Sequence, residues 1–274
     1  MAKEGYTRET QKSNFLKKVI IRIDYTGLVT ASNFVDSIKE WLLSDYFDSL
    51  YKKFLGQAQL NFSDLGNIAK TLMIPVQDLR NEPLFVFSGA PFHGTMDTVT
   101  MEVSAYYTAI DITCYEYRSI APYQELLSEF VRQFNDQEKT LNITRLGIRK
   151  ASGVLFADFN ALKKTYEPEL FIGATPDYNS SFIKKEYLDC FYNEAQDIKV
   201  NYKRAISSVL DAQRNRLLQA GLDIDVYIDN EIIRRTGVNL VNDFTVIFNK
   251  LNEYQFVLYR NSVTEDYLAS TNHE

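Results

Sequence analysis

Cysteine and histidine are nearly missing from this chain of 274 residues, which holds two of each. Cys114 and Cys190 are too few for a disulfide scaffold or a multi-cysteine zinc site. His93 and His273 are too few for a histidine-built metal site or triad, and the first stands in the turn-like Ala90-Pro91-Phe92-His93-Gly94. Apolar runs such as Val19-Ile20-Ile21 are strand-sized, far short of the roughly 18 residues of a membrane span. Met1 to Ser13 is polar and lacks the apolar stretch of a signal peptide. Free thiols without an export signal lead us to expect a cytoplasmic protein without membrane contact. Lys and Arg number 30 against 36 Asp and Glu, a net charge of −6, so there is no global field to attract nucleic acid. A P-loop, a G-x-S-x-G and an H-E-x-x-H are all absent.

What the chain does have is aromatic side chains and alternation. Its 18 Tyr and 18 Phe suit strands with one wet face. Val19, Ile21, Ile23 and Tyr25 alternate with Ile20, Arg22 and Asp24, which predicts a strand. Phe34, Ile38, Trp41 and Leu42 predict a helix capped by Ser32 or Asn33. A second short helix is expected near Asp48 to Leu55, and a weaker one over Asp64 to Leu72.

Further along, Leu84 to Phe87, Thr98 to Ser104 and Tyr106 to Arg118 predict strands. In the last of these Ile110 and Ile112 mark the better core face, opposite Tyr107, Ala109 and Asp111. Pro122 opens a helix carrying Leu127, Phe130, Val131 and Phe134, and Ile143 to Arg149 returns as a strand. Phe182 to Tyr192, Ile198 to Leu210 and Arg216 to Ile228 are three long strand candidates. A helix follows from about Leu240 to Tyr259, with Val241, Phe244, Phe248, Leu251 and Leu258 on its buried stripe.

The expected class is therefore α+β: antiparallel sheet covered by long amphipathic helices, in two pseudo-repeated meander-plus-helix units. Gly153, Pro168, Gly173 and Pro176 place a boundary within residues 151–178, giving an N-terminal unit 1–160 and a C-terminal unit 161–274, with one continuous domain as the alternative.

Four residues could carry chemistry. Asp223 and Asp225 of Asp223-Ile224-Asp225, with Asp229 beyond, share one face of a strand about 7 Å apart. Such carboxylates can hold Mg²⁺ in nucleotide-transferring sites. No phosphate cradle precedes them, and a solvated strand face is the simpler reading. Arg145 and Arg149 share a face of the earlier strand and could bind phosphate or an acidic partner. They could equally pair with Asp223 and Asp225, and we favour that structural role. Cys114 and Cys190 read as buried, inert thiols, since no histidine is placed to activate either. Basic residues at Lys184-Lys185, Lys199, Lys203-Arg204, Arg214, Arg216 and Arg234-Arg235 interleave with Tyr187, Tyr192 and Tyr202, a single-strand-binding pattern that Asp189, Glu194, Asp197 and Asp211 dilute.

Several pieces carry a resemblance. They are Lys18-Val19-Ile20-Ile21-Arg22-Ile23; the strand Thr98-Val99-Thr100-Met101; Ile143-Thr144-Arg145-Leu146-Gly147-Ile148-Arg149; Leu222-Asp223-Ile224-Asp225-Val226-Tyr227; and Ser262-Val263-Thr264-Glu265-Asp266. Together the chain resembles a sporadically distributed, uncharacterised bacterial family with I-x-R-I-G-L-R-Y and L-D-I-D-x-Y motifs. Lys150 stands where that family has Tyr. The resemblance implies a shared fold, the patchy distribution of antiphage defence or toxin–antitoxin cargo, and no catalytic residue that carries over.

The expected function is a non-enzymatic interaction protein in such a system: a sensor, a regulator or a neutralising partner, with a chaperone-like holder as a variant. It implies a host or phage protein partner, no cofactor and no metal, leaves oligomerisation open, and keeps nucleic-acid binding without catalysis as a further reading that the net negative charge disfavours. Strand addition at an exposed sheet edge is one way to take up a partner. The alternative is a metal-dependent enzyme on nucleotides or nucleic acid, using Asp223 and Asp225 with Arg145 and Arg149.

Overall fold

The computed structural model describes residues 2–8, 15–26, 31–57, 80–89, 96–115, 117, 119–137, 142–171 and 184–271. The expected helix at 64–72, His93 and His273 lie outside them. The class is mixed α and β, with ten antiparallel strands and six helices among the described residues. The strands are β1 (Leu16–Thr26), β2 (Ser49–Phe54), β3 (Pro83–Gly89), β4 (Thr98–Val103) and β5 (Tyr107–Thr113), then β6 (Asn142–Ser152), β7 (Val154–Phe156), β8 (Lys184–Asn193), β9 (Ile198–Leu210) and β10 (Arg216–Asp229). The helices are α1 (Ala31–Asp45), α2 (Ala121–Gln137), α3 (Phe159–Thr165), α4 (Asn230–Thr236), α5 (Phe244–Ser262) and α6 (Glu265–Thr271). Among the described residues no helix is long and apolar enough to cross a membrane.

The chain divides into two compact units, each drawn from separated segments. Unit one comprises Met1–Lys18, Ile148–Tyr227 and Asn249–Glu274, and unit two comprises Val19–Gly147 and Ile228–Phe248. Strand β6 contributes residues to both.

In unit two the hydrogen-bonded order is β2-β3-β4-β5-β1-β6. The alternation read from β1 holds: Val19, Ile21, Ile23 and Tyr25 are all buried. The α1 and α2 stripes meet through aromatic rings. Phe34 lies 5.4 Å from Phe130 and 4.3 Å from Phe134, and Tyr25 reaches Phe134 at 4.6 Å. Burial of Tyr25 raises its phenol pKa, and its hydroxyl donates to the Ser104 carbonyl at 2.8 Å.

Two expectations for unit two are corrected. The short helix expected near Asp48 to Leu55 is instead β2, paired antiparallel with β3 from Ser49↔Ser88 to Phe54↔Pro83. Eight residues are too few to hold a helix without packing, so the neighbouring strand decides. In β5 both faces are buried, not one: Ile110 and Ile112 on the first, Tyr107 and Ala109 on the second. Tyr107 and Ala109 join Leu55, Leu84 and Val86 in a small second core.

In unit one the order is β6-β10-β9-β8, with β7 also pairing β10. The three long strands form two hairpins, with Val226↔Val200 and Phe191↔Val200 in register. Their turns carry the positive-φ residues Asp197 and Arg214. Asp211 braces the second turn by accepting from the Gln213 and Asn215 amides. The α5 residues of this unit cover one face of the sheet. Gln255 donates from Nε2 to the Ile224 carbonyl at 2.7 Å and the Ile148 carbonyl at 3.3 Å. Asn252 accepts from Lys150 Nζ at 2.7 Å, and Tyr202 meets Ser262 hydroxyl to hydroxyl at 2.6 Å. The helix begins at Phe244, not near Leu240, so Val241 of the expected stripe lies before it; Phe244, Phe248 and Leu251 are buried and Leu258 is half-buried. The buried polar pair Asn252 and Gln255 was not anticipated.

Candidate functional site

The alternation of β10 aims Leu222, Ile224 and Val226 at α5 and turns Asp223 and Asp225 to the opposite, outer face. Antiparallel register then fixes their neighbours, because directly opposed residues share a face. Asp223 opposes Lys203 and Asp225 opposes Asn201 on β9. Beyond them on β8 stand Leu188 and Cys190. Arg149 of β6 completes the row.

Arg149 holds Asp223 through two parallel bonds, Nε to Oδ1 at 2.7 Å and Nη2 to Oδ2 at 2.6 Å. This fork geometry is the strong form of an arginine–carboxylate pair. Asp225 accepts from Asn201 Nδ2 at 3.2 Å. Glu186 on β8 takes Lys184 at 2.7 Å and Lys203 at 2.9 Å, and these contacts hold its carboxyl below the usual range. The outer face of unit one is thus a lattice of ion pairs around an apolar side chain, Leu188, which is 62% exposed.

Arg145 has a different neighbour. Its Nη1 lies 4.0 Å from Asp24 Oδ2 in unit two, where Asp24 also accepts from Arg22 Nε at 2.5 Å. The Arg22 guanidinium lies 4.7 Å from the centre of the Tyr107 ring, and the Tyr107 hydroxyl donates to Glu102 Oε2 at 2.9 Å. Burial raises the Glu102 carboxyl pKa, with the Tyr107 bond and the Lys53 ammonium opposing it. The Tyr107 phenol is raised too, by burial first and Glu102 second. Of the four residues singled out from the sequence, then, Arg149 and Asp223 bond to each other, while Asp225 goes to Asn201 and Arg145 to Asp24. Sequence reasoning missed Glu102, Tyr107, Arg22 and Asp24 as a group. Alternation in β1 does place Arg22 and Asp24 opposite the core, but their partners on β4, β5 and β6 depend on strand order.

Asp229 caps α4, its Oδ1 accepting from the Ile232 amide at 3.3 Å. Among the described residues no group of three or more His, Cys, Asp or Glu could hold a metal ion. Cys190, expected to be buried, is exposed, because β8 is the last strand of the order and no described residue covers it; Cys114 is half-buried. Two of the tyrosines among the basic residues stack on Arg204, which lies 5.1 Å from the Tyr187 ring centre and 5.5 Å from that of Tyr202, while the Tyr192 hydroxyl donates to Asp197 Oδ1 at 2.6 Å.

Two expected results follow from these contacts. A double-mutant cycle on R149A and D223A should return a coupling of about 1 kcal/mol, since the fork is good but half-exposed. Urea melts at low and at 1 M salt measure it, and the coupling should shrink with salt. The second concerns pH. A carboxyl whose folded pKa is raised adds stability that is complete below the usual carboxylate range and is lost as pH rises through the folded value. E102Q should therefore gain stability relative to the parent as pH rises from 4 to 7. Paired urea melts check this, and a stability of E102Q minus that of the parent which stays constant or falls as pH rises contradicts it.

No protein-family model matches this sequence, and no curated protein matches it either.

Proposed function

We propose that the chain is a non-enzymatic interaction protein that binds a host or phage protein through the outer face of unit one. The observation that carries this reading is the ion-pair lattice of Arg149, Asp223, Lys203 and Glu186 around exposed Leu188. Exposed apolar surface rimmed by charge is what a protein partner can desolvate, and the paired charges supply orientation. The carboxylates an enzyme would need for metal are engaged with Arg149 and Asn201. The family resemblance supplies the setting, bacterial antiphage defence or a toxin–antitoxin-like system, with this chain as sensor, regulator or neutralising partner. Strands followed by a long helix recur as β3–β5 with α2 and β8–β10 with α5, which supports reading the chain as two copies of one plan.

Affinity copurification from the native host, with and without phage challenge, tests the proposal when run beside an L188D variant. A stoichiometric protein captured by the parent chain and lost with L188D is expected. Capture of nothing in either condition, or equal capture by L188D, overturns it.

A further inference from the structure

Strand β8 pairs with β9 along one edge and ends the strand order, so no described strand covers its other edge. None of its ten residues is buried. An edge of this length leaves a row of backbone amides and carbonyls ready to pair with another strand. Proteins blunt such edges with proline, bulges, short length or charged residues, lysine above all, and here lysine stands only at the first two positions. Lys184-Lys185-Glu186-Tyr187-Leu188-Asp189-Cys190-Phe191-Tyr192-Asn193 has no proline, is in unbroken register with β9, and exposes Leu188 and Phe191.

We infer that β8 pairs antiparallel with β8 of a second copy of this chain, about a two-fold axis through Tyr187. The charges of the strand select that register. A two-fold perpendicular to the sheet must pass through a residue paired with itself, so that opposed residues share a face. An axis at Lys185, Glu186 or Asp189 sets like charges opposite each other on the axis itself. An axis at Leu188 or at Cys190 sets no opposite charges across the strand pair, whereas the Tyr187 axis does so twice, although it also opposes Glu186 to Leu188 and Lys184 to Cys190. At Tyr187 the ring meets its symmetry mate, and Lys185 opposes Asp189 of the second copy, twice. Aromatic and opposite-charge cross-strand pairs are the contacts that stabilise a ladder.

The local geometry is prepared for this. Asp189 is held by Arg204, whose guanidinium also lies over the Tyr187 ring, and Lys185 Nζ sits 5.3 Å from that ring's centre. Lys185, Tyr187 and Asp189 already share one face, with Arg204 opposite Tyr187 on β9.

Sedimentation velocity on the full chain tests this with K185D, D189K and their equimolar mixture. The parent should be a dimer. Each single variant places two like-charged pairs across the axis and should weaken dimerisation about tenfold or more. The mixture should recover it, because a K185D chain facing a D189K chain restores both opposite pairs. A second readout covers misfolding. Oxidised Y187C in a C114S/C190S background should cross-link to itself, its Cα atoms lying within disulfide reach across the strand pair. Cys190 of the parent should not, being six residues or roughly 20 Å from its mate. A parent that stays monomeric, a mixture that stays monomeric, or Cys190 cross-linking in place of Y187C overturns the inference. So does loss of a foreign partner, without any dimer, in K185D, which would assign the edge to another protein. The L188D capture above reads the outer face by partner loss, whereas this experiment reads self-association, so the two proposals fail separately.

Discussion

F130A should lower the unfolding free energy by about 3–5 kcal/mol, the range for emptying a phenylalanine site in a closed core. Phe130 is fully buried on α2. Its ring sits edge-on to Phe34 of α1 at 5.4 Å and tilted against Phe134 at 5.6 Å. Alanine is the better helix former, so α2 itself should persist and the loss should be one of packing. The surrounding rings are rigid and cannot collapse into the space, which puts the cost toward the upper end. Urea denaturation measures it, with the exposed L43A on α1 as a control expected to change little. A loss for F130A no greater than that of L43A would mean the aromatic cluster does not hold the two helices together.

The second large effect is G221A, expected to cost about 3 kcal/mol. The sign is the informative part. Replacing a strand glycine with alanine usually stabilises, since the unfolded chain loses freedom and the strand gains a side chain. At Gly221 an added Cβ would lie 2.2 Å from the Ser152 carbonyl oxygen and 3.3 Å from Gly153 Cα. This is backbone, which cannot rotate aside. The chain leaves β6 for β7 across this point, and Ser152 Oγ fixes the crossing through the Leu222 amide and carbonyl, both at 3.2 Å. G153A is the matched control, because its Cβ would meet nothing nearer than Lys17 Cγ at 4.0 Å. Chemical denaturation of the two variants should separate them clearly. Equal stability of G221A and the parent would mean that the Ser152 carbonyl does not approach Gly221 as described.

The candidate site was half legible. Period-two alternation was enough to put Asp223 and Asp225 on one side of β10 and Arg145 and Arg149 on one side of β6. It could not say that Arg149 would take Asp223 in a fork while Arg145 faced Asp24. Those partners lie far apart in sequence, and which strands become neighbours is a long-range choice that short-range pattern does not encode. Glu102 and Tyr107 were hidden for a related reason. A glutamate on a strand reads as solvated until a second small core closes around it and lifts its pKa.

The sequence alone determined the α+β class, the extents of most strands and the buried stripes of α1 and α2, because hydrophobic periodicity is a local consequence of geometry. It also settled the scarcity of thiol and imidazole chemistry. Tertiary structure decided the rest. Pairing with β3 turned residues 49–54 into a strand. The position of β8 at the end of the order left Cys190 and Leu188 exposed and, among the described residues, a backbone edge with no strand on it. The approach of Ser152 made Gly221 obligatory, and packing against β6 and β10 drew Asn252 and Gln255 into the interior, where they bond to Lys150 and to strand carbonyls. In each case the deciding neighbour is distant along the chain, and its effect enters only once the strands have paired.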